Sequence, residues 1–168
     1  MNPNMNTEQV DSELQKFSND KFLYRRLAKS DLNREYLDLM GQMTKAPLVD
    51  TECLIQEYVT YYENSPLIFV IVIVDLETDQ VIGNGRLLIE PKMTRGISKC
   101  AHMEDIVVDN AYNGQGLGKS LLEVLKHLSL QMGCYKAKLD CSEKVVGFYE
   151  KCGFEMSGHL MGCYFVEK

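Results

Sequence analysis

Residues 113–119 read Asn-Gly-Gln-Gly-Leu-Gly-Lys and decide the predicted fold, because they join a predicted strand to the start of a predicted helix. Glycine lets a chain bend sharply and lets a ligand approach the backbone. Free N–H groups and the dipole at a helix N-terminus favour a phosphate at such a turn. Lys119, in the first helical turn, adds a positive charge. The segment therefore predicts an anion-binding loop.

Three phosphate-binding patterns compete for this loop. A Walker A loop needs a glycine five positions before Gly118, and Asn113 stands there instead. A dinucleotide fingerprint, G-x-G-x-x-G, needs its third glycine one residue later than Gly118. The pattern Q/R-x-x-G-x-G/A, in which a short loop wraps a pyrophosphate, remains. For the loop taken alone, a glycine-rich turn without a ligand is an equal alternative.

The segments on both sides of the loop have the patterns of regular secondary structure. Residues 100–108 read as a strand that ends in apolar residues. After the loop, apolar residues at helical spacing continue to Met132, and Gly133 is placed to end the helix. Residues 136–141 predict another strand, and a short helix follows it and ends before Gly153.

The N-terminal part predicts a strand and a helix. Residues 1–20 are polar and read as a weakly ordered lead-in to a single domain that covers residues 21–168. A short strand follows. Ser30 or Asp31 then serves as the predicted N-cap of a helix that Pro47 ends.

The remaining segments complete an α/β (α+β) domain with a mixed sheet. Asp50, or the threonine that follows it, caps a second predicted helix through Tyr62. Residues 67–74 are β-branched and apolar and predict a buried central strand. Residues 81–89 predict the returning strand of a hairpin, and residues 155–166 a final strand.

The composition disfavours several classes of protein. The chain has 168 residues and a formal net charge of -6, which disfavours nucleic acid as a partner. Its longest apolar run, residues 67–74, is too short to span a membrane. The six cysteines lack C-x-x-C spacing and the three histidines do not flank them, so we expect no metal site. No signal peptide is evident, and a cytoplasmic protein with reduced thiols is expected.

Taken together, these segments resemble the GNAT superfamily of N-acetyltransferases, and most specifically the glucosamine-6-phosphate N-acetyltransferase family. The resemblance runs from about residue 22 to residue 154. It implies a central, mixed, mostly antiparallel twisted sheet with helices on both faces. It is carried by the loop together with Glu104-Asp105-Ile106, Cys134-Tyr135-Lys136, Leu139-Asp140-Cys141, Phe148-Tyr149 and Gly153-Phe154.

The resemblance implies that acetyl-CoA is the cosubstrate. Residues 106–108 would bind its acetyl-pantetheine arm through backbone groups, like an added strand. Residues 113–119 would hold its pyrophosphate, and Tyr149 would lie near the thioester sulfur. The implied cofactor-binding residues are Ile106, Val107, Val108, Asn113, Gly114, Gln115, Gly116, Leu117, Gly118, Lys119 and Tyr149.

The resemblance also implies a site for an amino-sugar phosphate. At the position of an arginine that binds the phosphate in this family, the chain has Tyr164, which brings no positive charge. Lys92, Arg95 or Lys168 could compensate, or the substrate could differ. The implied substrate-binding residues are Thr44, Lys92, Met93, Thr94, Arg95, Glu104, Asp105, Ile106, Asp140 and Tyr164.

Three residues are candidates for catalysis. Asp140 would orient the amine and help to receive its proton, and its alternative role is to cap the next helix. Tyr149 would donate its hydroxyl to the departing thiolate, and its alternative role is in the core. Glu104 and Asp105 are adjacent on a strand and should point to opposite faces, so only one can face the substrate. We favour Glu104 over a surface ion-pair role.

The functional hypothesis is acetylation of glucosamine 6-phosphate by direct attack in a ternary complex. The alternatives are another small amine as acceptor, a non-catalytic acyl-CoA-binding module and a P-loop nucleotide-binding protein; protein acetylation is disfavoured. By resemblance, the protein is a homodimer in which the C-terminal segment, residues 155–166, helps to build the partner's site.

Overall fold

The structure is a computed structural model, and it describes residues 5–45 and 49–165. A π-helical turn, Val59–Glu63, extends the third helix, and short 3-10 turns lie at Lys29–Asp31, Asn110–Tyr112 and Glu143–Val145. The helices and strands are α1 (Thr7–Gln15), β1 (Phe22–Arg26), α2 (Arg34–Gly41), α3 (Thr51–Tyr58), β2 (Ile68–Asp75), β3 (Gln80–Pro91), β4 (Lys99–Val108), α4 (Leu117–Gln131), β5 (Cys134–Leu139) and α5 (Val146–Lys151).

The five strands form one mixed sheet in the order β1-β2-β3-β4-β5. Neighbours from β1 to β4 are antiparallel, and β5 runs parallel to β4. The β4–β5 pairing reaches only as far as Met103 and Leu139. Beyond Met103, β4 therefore has an open edge on the side that β5 has left.

Helices cover both faces of the sheet, as the sequence predicts. On β2, Ile71 and Ile73 face a core that includes α1 and α4. Val72 and Val74 face the opposite way, into a second core with residues of α2 and α3. Because both faces of β2 are covered, the strand is apolar throughout rather than alternating. The prediction of a buried central strand over residues 67–74 is confirmed.

The pairing of β3 with β4 is interrupted by a bulge. Arg86 pairs with Glu104 and Asn84 pairs with Val107, so Gly85 faces two residues of β4. One of these two, Asp105, has a φ of 52°, which a non-glycine residue seldom adopts. The bulge lies next to the open edge of β4 and bends the strand at that point.

The prediction that residues 1–20 form a weakly ordered lead-in is wrong over Thr7–Gln15, which form α1. Asn6 and Gln9 form a capping box at the start of this helix. Val10 and Leu14, one turn apart, are fully buried in the core beside α4. Burial of these two residues against the core holds the short helix in place.

The start of α2 also differs from the prediction. Asn33 caps it, with its side chain accepting the N–H of Tyr36, and neither Ser30 nor Asp31 does. The Asp31 carboxylate instead pairs with Arg25, at 2.6 Å and 2.8 Å. Pro47, the predicted end of this segment, lies outside the described residues.

Asp50 caps α3 as predicted, accepting the N–H groups of Glu52 and Cys53. The predicted final strand is not found over residues 155–165, the part of residues 155–166 that the structure describes. A strand needs a neighbour for its backbone hydrogen bonds, and none of the strands in residues 5–45 and 49–165 pairs with this segment. Its large apolar side chains are exposed: Met156, Leu160, Met161, Tyr164 and Phe165.

In the described part of the chain, no helix combines the length and the apolar character that crossing a membrane would require.

The packing of α1 leads to a stability prediction. Leu14→Ala removes a fully buried side chain and should lower the free energy of unfolding by about 2–5 kcal/mol. Gln15→Ala, a change at an exposed position of the same helix, should alter it by less than about 0.5 kcal/mol. Equilibrium denaturation in urea, followed by circular dichroism, measures both. Equal effects of the two substitutions would mean that α1 does not belong to the core.

Candidate active site

The glycine-rich loop, residues 113–119, leads from β4 into α4. Gly114 and Gly116 have φ values of 80° and 78°, a region that side chains rarely permit. An added Cβ at either glycine would meet nothing within 4 Å. Glycine is therefore needed here for the backbone conformation and leaves open space above the loop, where a ligand can reach the main chain.

Most of the loop's backbone N–H groups are available to a ligand. Those of Asn113 and Gln115 donate to Asn110 and Tyr112, at 3.2 Å and 3.4 Å. The others make no hydrogen bond to the described residues, and they belong to Gly114, Gly116, Leu117, Gly118 and Lys119.

No side chain caps α4, and its first turn has no acidic residue. Free N–H groups and the helix dipole therefore act together on any anion at this position. The Lys119 ammonium lies in the same turn, 3.9 Å from the Glu123 carboxylate. The predicted anion-binding geometry is present at the start of α4.

The open edge of β4 lies just before this loop and carries residues 106–108. Val107 is buried, and the half-buried Ile106 and Val108 pack against the core beneath α4. A strand edge without a neighbour offers backbone donors and acceptors to an extended ligand. The edge and the loop are continuous along the chain, so one elongated ligand can contact both.

Two acids and an arginine form a cluster at the bulge. Arg86 on β3 hydrogen-bonds to the carboxylate of Glu104, its cross-strand partner. Its Nε lies 2.7 Å from Asp105 Oδ2 but makes no hydrogen bond, so this second contact is an attraction between charges. One guanidinium thus contacts two neighbouring carboxylates and offsets part of their charge.

This cluster corrects the expectation that Glu104 and Asp105 point to opposite faces. The bulge at Asp105 breaks the alternation of the strand, so both carboxylates reach Arg86. Arg86 is not among the site residues predicted from the sequence. Its signal is an opposite charge on the predicted strand 81–89, which precedes the strand of Glu104 along the chain and can pair with it in a favourable cross-strand arrangement.

Asp140 lies directly after β5, whose last residue, Leu139, pairs with Met103. Asp140 therefore follows the last paired residue of β5, at the point where the open edge of β4 begins. Asp140 is exposed, and its carboxylate makes no hydrogen bond or ion pair within the described ranges. In particular it does not cap the following 3-10 turn, which was its alternative role.

Tyr149 is half-buried on α5 between two aromatic rings, with centroids 5.2 Å from Phe148 and 6.0 Å from Phe154. A Cβ on Gly118 would lie 3.4 Å from the Phe148 ring, so α5 packs directly on the loop. Burial raises the pKa of Tyr149, and the neighbouring Cys141 and Cys152 raise it further. The phenol therefore stays protonated, and its hydroxyl donates to no residue that the structure describes.

Residues 92–95 lie elsewhere, at the tip of the β3–β4 hairpin. The Lys92 ammonium pairs with Glu90, which holds the pKa of Lys92 above its usual range. The Arg95 guanidinium lies 5.0 Å from the centre of the Tyr135 ring, and Met93 and Thr94 are exposed.

The hairpin tip is too far from the acids to share a site with them in one chain. The Lys92 N–H donates to Ser98, and six residues of extended chain, about 20 Å, separate Ser98 from Glu104. The predicted substrate residues therefore fall into two groups.

Thr44 is exposed after α2, which packs on β3 and β4, and Tyr164 is exposed in the C-terminal segment. Lys168 is outside the described residues.

Among the described residues, one group has potential metal ligands close together. The Glu90, Cys100 and His102 ligand atoms lie within 4.8 Å of one another. The Glu90 carboxylate, however, already contacts Lys92, and it lies 2.7 Å from His102 Nε2. These contacts lower the pKa of Glu90, and the hydrogen bond with Lys92 lowers it more than the one with His102. A network within the protein therefore accounts for the arrangement.

The chain is similar to known acetyltransferases. The sequence model of the Acetyltransferase (GNAT) family matches residues 33–154. Glucosamine 6-phosphate N-acetyltransferase 1 of Dictyostelium discoideum is 41% identical over 145 residues, covering 86% of this chain and 92% of that protein. The glucosamine 6-phosphate N-acetyltransferase of Trypanosoma brucei brucei is 41% identical over 130 residues, covering 77% of this chain and 86% of that protein.

A solved structure has the same fold. The crystal structure of glucosamine-6-phosphate N-acetyltransferase from Arabidopsis thaliana superposes with a TM-score of 0.78 at 34% sequence identity. The superposition covers 88% of this chain and 100% of that one.

The surroundings of Tyr149 lead to a titration prediction. Its phenol should titrate above the ordinary value of about 10, because burial and nearby thiolates disfavour the phenolate. A pH titration of protein labelled with ¹³C at the tyrosine ring, followed by NMR, measures this. The signal lost in Tyr149→Phe provides the assignment. A midpoint at or below 10 would contradict the placement of Tyr149.

Proposed function

The chain belongs to the GNAT acetyltransferase family and, within it, to the glucosamine 6-phosphate N-acetyltransferases, and from this membership we propose its reaction. It transfers the acetyl group of acetyl-CoA to the 2-amino group of glucosamine 6-phosphate. The product is N-acetylglucosamine 6-phosphate, a precursor of UDP-N-acetylglucosamine. The observation that carries the proposal is the uncapped start of α4, with its free N–H groups, next to the open edge of β4.

Acetyl-CoA fits these two features in one extended position. Its pyrophosphate takes the N–H groups of residues 114 and 116–119, and Lys119 adds charge. Its pantetheine arm follows residues 106–108 in the place that β5 leaves. The thioester then lies between the acids at the bulge and Tyr149.

The chemistry is a direct attack of the neutral amine on the thioester carbonyl. The new N–C bond forms, the C–S bond breaks, and the amine loses a proton. Asp140, which makes no bond of its own to the described residues, is free to orient the amine and to receive this proton, directly or through water. Tyr149 donates its hydroxyl to the departing thiolate.

The charge of Glu104 is shared with Arg86, so its role is to hold the amino sugar rather than to take the proton. A backbone N–H at the bulge, that of Ile106, faces the oxyanion that develops on the carbonyl. Holding both substrates together in one site supplies much of the acceleration.

The second group of substrate residues supports a homodimer. Lys92 and Arg95 are about 20 Å along the hairpin from Glu104, so they contribute to phosphate binding only from across an interface. The C-terminal segment, residues 155–165, exposes apolar side chains such as Leu160 and Phe165, at 75% and 94%. Exposed apolar surface of this kind marks an interaction site. The partner's copy of this segment completes the site in our proposal.

A different small amine as acceptor is the second candidate. Tyr164 favours it, because it stands where the resemblance implies a basic residue.

The cytoplasm is the proposed compartment. All six cysteines are free thiols, which is the usual state in a reducing environment.

A panel of acceptors tests the reaction. Release of free thiol from acetyl-CoA should be fastest with glucosamine 6-phosphate, with kcat/KM about 10- to 100-fold above that for glucosamine. The reason is that a charge-assisted bond to phosphate contributes about 1.5–3 kcal/mol. Asp140→Asn should lower kcat about 100-fold. Asp38→Asn, at an exposed position of α2, serves as its matched control.

Equal rates with glucosamine and its phosphate would favour the second candidate. No thiol release with any amine would leave an acyl-CoA-binding module and overturn the proposal.

The dimer has a separate test. The wild-type chain should sediment as a dimer at micromolar concentration. The double substitution Leu160→Asp and Phe165→Asp should give a monomer with lost activity, because charges at these positions oppose burial. Leu76→Asp, an exposed leucine in the β2–β3 turn, should leave the dimer intact. A monomeric wild type with full activity would contradict an interface of this kind.

A further inference from the structure

Asn84, on β3, is a buried polar residue whose side-chain amide is held at both ends. Its exposed fraction is 1%. The Tyr36 hydroxyl donates to its Oδ1 over 2.9 Å. Its Nδ2 donates to the backbone oxygen of Asp105 over 2.8 Å. Asn84 therefore connects α2 to the bulge in β4.

The two bonds fix which way the Asn84 amide faces. A flipped amide would set Oδ1 against the Asp105 carbonyl oxygen, and two acceptors repel each other. Burial raises the pKa of Tyr36, and the charge of Asp105 raises it further, so the phenol remains a donor. Each group thus has a single role in the chain of bonds from Tyr36 through Asn84 to Asp105.

The carbonyl that Asn84 holds belongs to the most constrained residue of β4. Asp105 has a φ of 52°, and a non-glycine residue keeps such a conformation only where several contacts enforce it. Arg86 engages its side chain, at 2.7 Å. Asn84 engages its main chain. Removing the amide would leave the orientation of this peptide group with one fewer restraint.

The next N–H in the chain is fixed by the same bond. The peptide joining Asp105 to Ile106 is planar and trans, so its N–H points opposite to its carbonyl. When Asn84 holds the Asp105 carbonyl, the Ile106 N–H must point away from Asn84. Ile106 lies on the part of β4 that β5 does not cover.

We propose that Asn84, itself oriented by Tyr36, is a positioning residue that holds the bulge of β4 and aims the Ile106 N–H at the carbonyl oxygen of the reacting acyl group. The inference rests on the proposed acetyl transfer. Neither Asn84 nor Tyr36 touches a substrate. Tyr36 acts through Asn84, and Asn84 acts through the Asp105 carbonyl. The Ile106 N–H is the group that donates to the oxyanion.

The experiment compares Asn84→Ala, Tyr36→Phe and the double variant with the wild type. A donor aimed at an oxyanion affects kcat by about 100- to 1,000-fold when removed, so a misaimed one should lower kcat about 10-fold or more. The apparent constant for acetyl-CoA should change less than about 2-fold, because the loop at the start of α4 is untouched.

The double variant carries the sharpest prediction. Tyr36 acts only through Asn84, so adding Tyr36→Phe to Asn84→Ala should lower kcat no further. The matched control is Tyr58→Phe. It removes an equally buried hydroxyl, bonded to Leu27 over 2.6 Å, that has no contact with the bulge. Its kcat should equal that of the wild type.

A second readout does not depend on catalysis or on Asn84→Ala folding. Backbone hydrogen exchange and the amide chemical shift of Ile106, measured by ¹⁵N NMR, should change in Tyr36→Phe and not in Tyr58→Phe. Unchanged Ile106 signals, or a kcat of Asn84→Ala and Tyr36→Phe equal to that of the control, would overturn the proposal. Additive losses in the double variant would do the same.

The two proposals fail in different ways. A wild type that transfers no acetyl group to any amine contradicts the proposed function, and with it the purpose assigned to Asn84. A wild type that is active while the Tyr36 and Asn84 variants behave like Tyr58→Phe contradicts this inference alone.

Discussion

The departure of β5 from β4 after Met103 is the constraint on which the site depends. Up to that residue β4 has a neighbour on each side, and beyond it only β3 remains. The backbone of residues 106–108 is therefore open to an extended ligand. The same departure brings Asp140 to the mouth of the opening and leads the chain into α5. There Phe148 packs against Gly118 at the start of α4, and the Tyr149 ring contacts Phe148.

The electrostatics of the site explain how an acidic chain can hold an anionic cosubstrate. The formal net charge is -6, so the whole protein repels anions. Oriented N–H groups at the start of α4 provide local attraction without a basic surface. At the bulge, Arg86 offsets Glu104 and Asp105, while Asp140 stays unpaired among the described residues. One carboxylate of these three is thus left without an ionic partner in the described part of the chain.

Most of the fold is predictable where a local pattern has a local cause. The apolar run at 67–74 must be buried on both faces. Asp50 caps α3, which begins at the next residue. The glycines of residues 113–119 likewise predict a sharp turn before a helix. Features that depend on tertiary contacts are not predictable from a local pattern. No strand among the described residues pairs with residues 155–165, where the sequence predicts a final strand. The direction of the Asp105 side chain depends on a bulge that the alternation of residues does not reveal.

NMR titration of ¹⁵N-labelled protein with coenzyme A tests most directly whether the start of α4 holds the diphosphate. The amides of Gly116, Leu117 and Gly118 should show the largest shifts, because hydrogen bonds to phosphate form at these N–H groups. Gly41 lies outside the loop, in α2, and its amide should shift far less. Binding that shifts other amides and leaves the three loop amides unchanged would contradict the account.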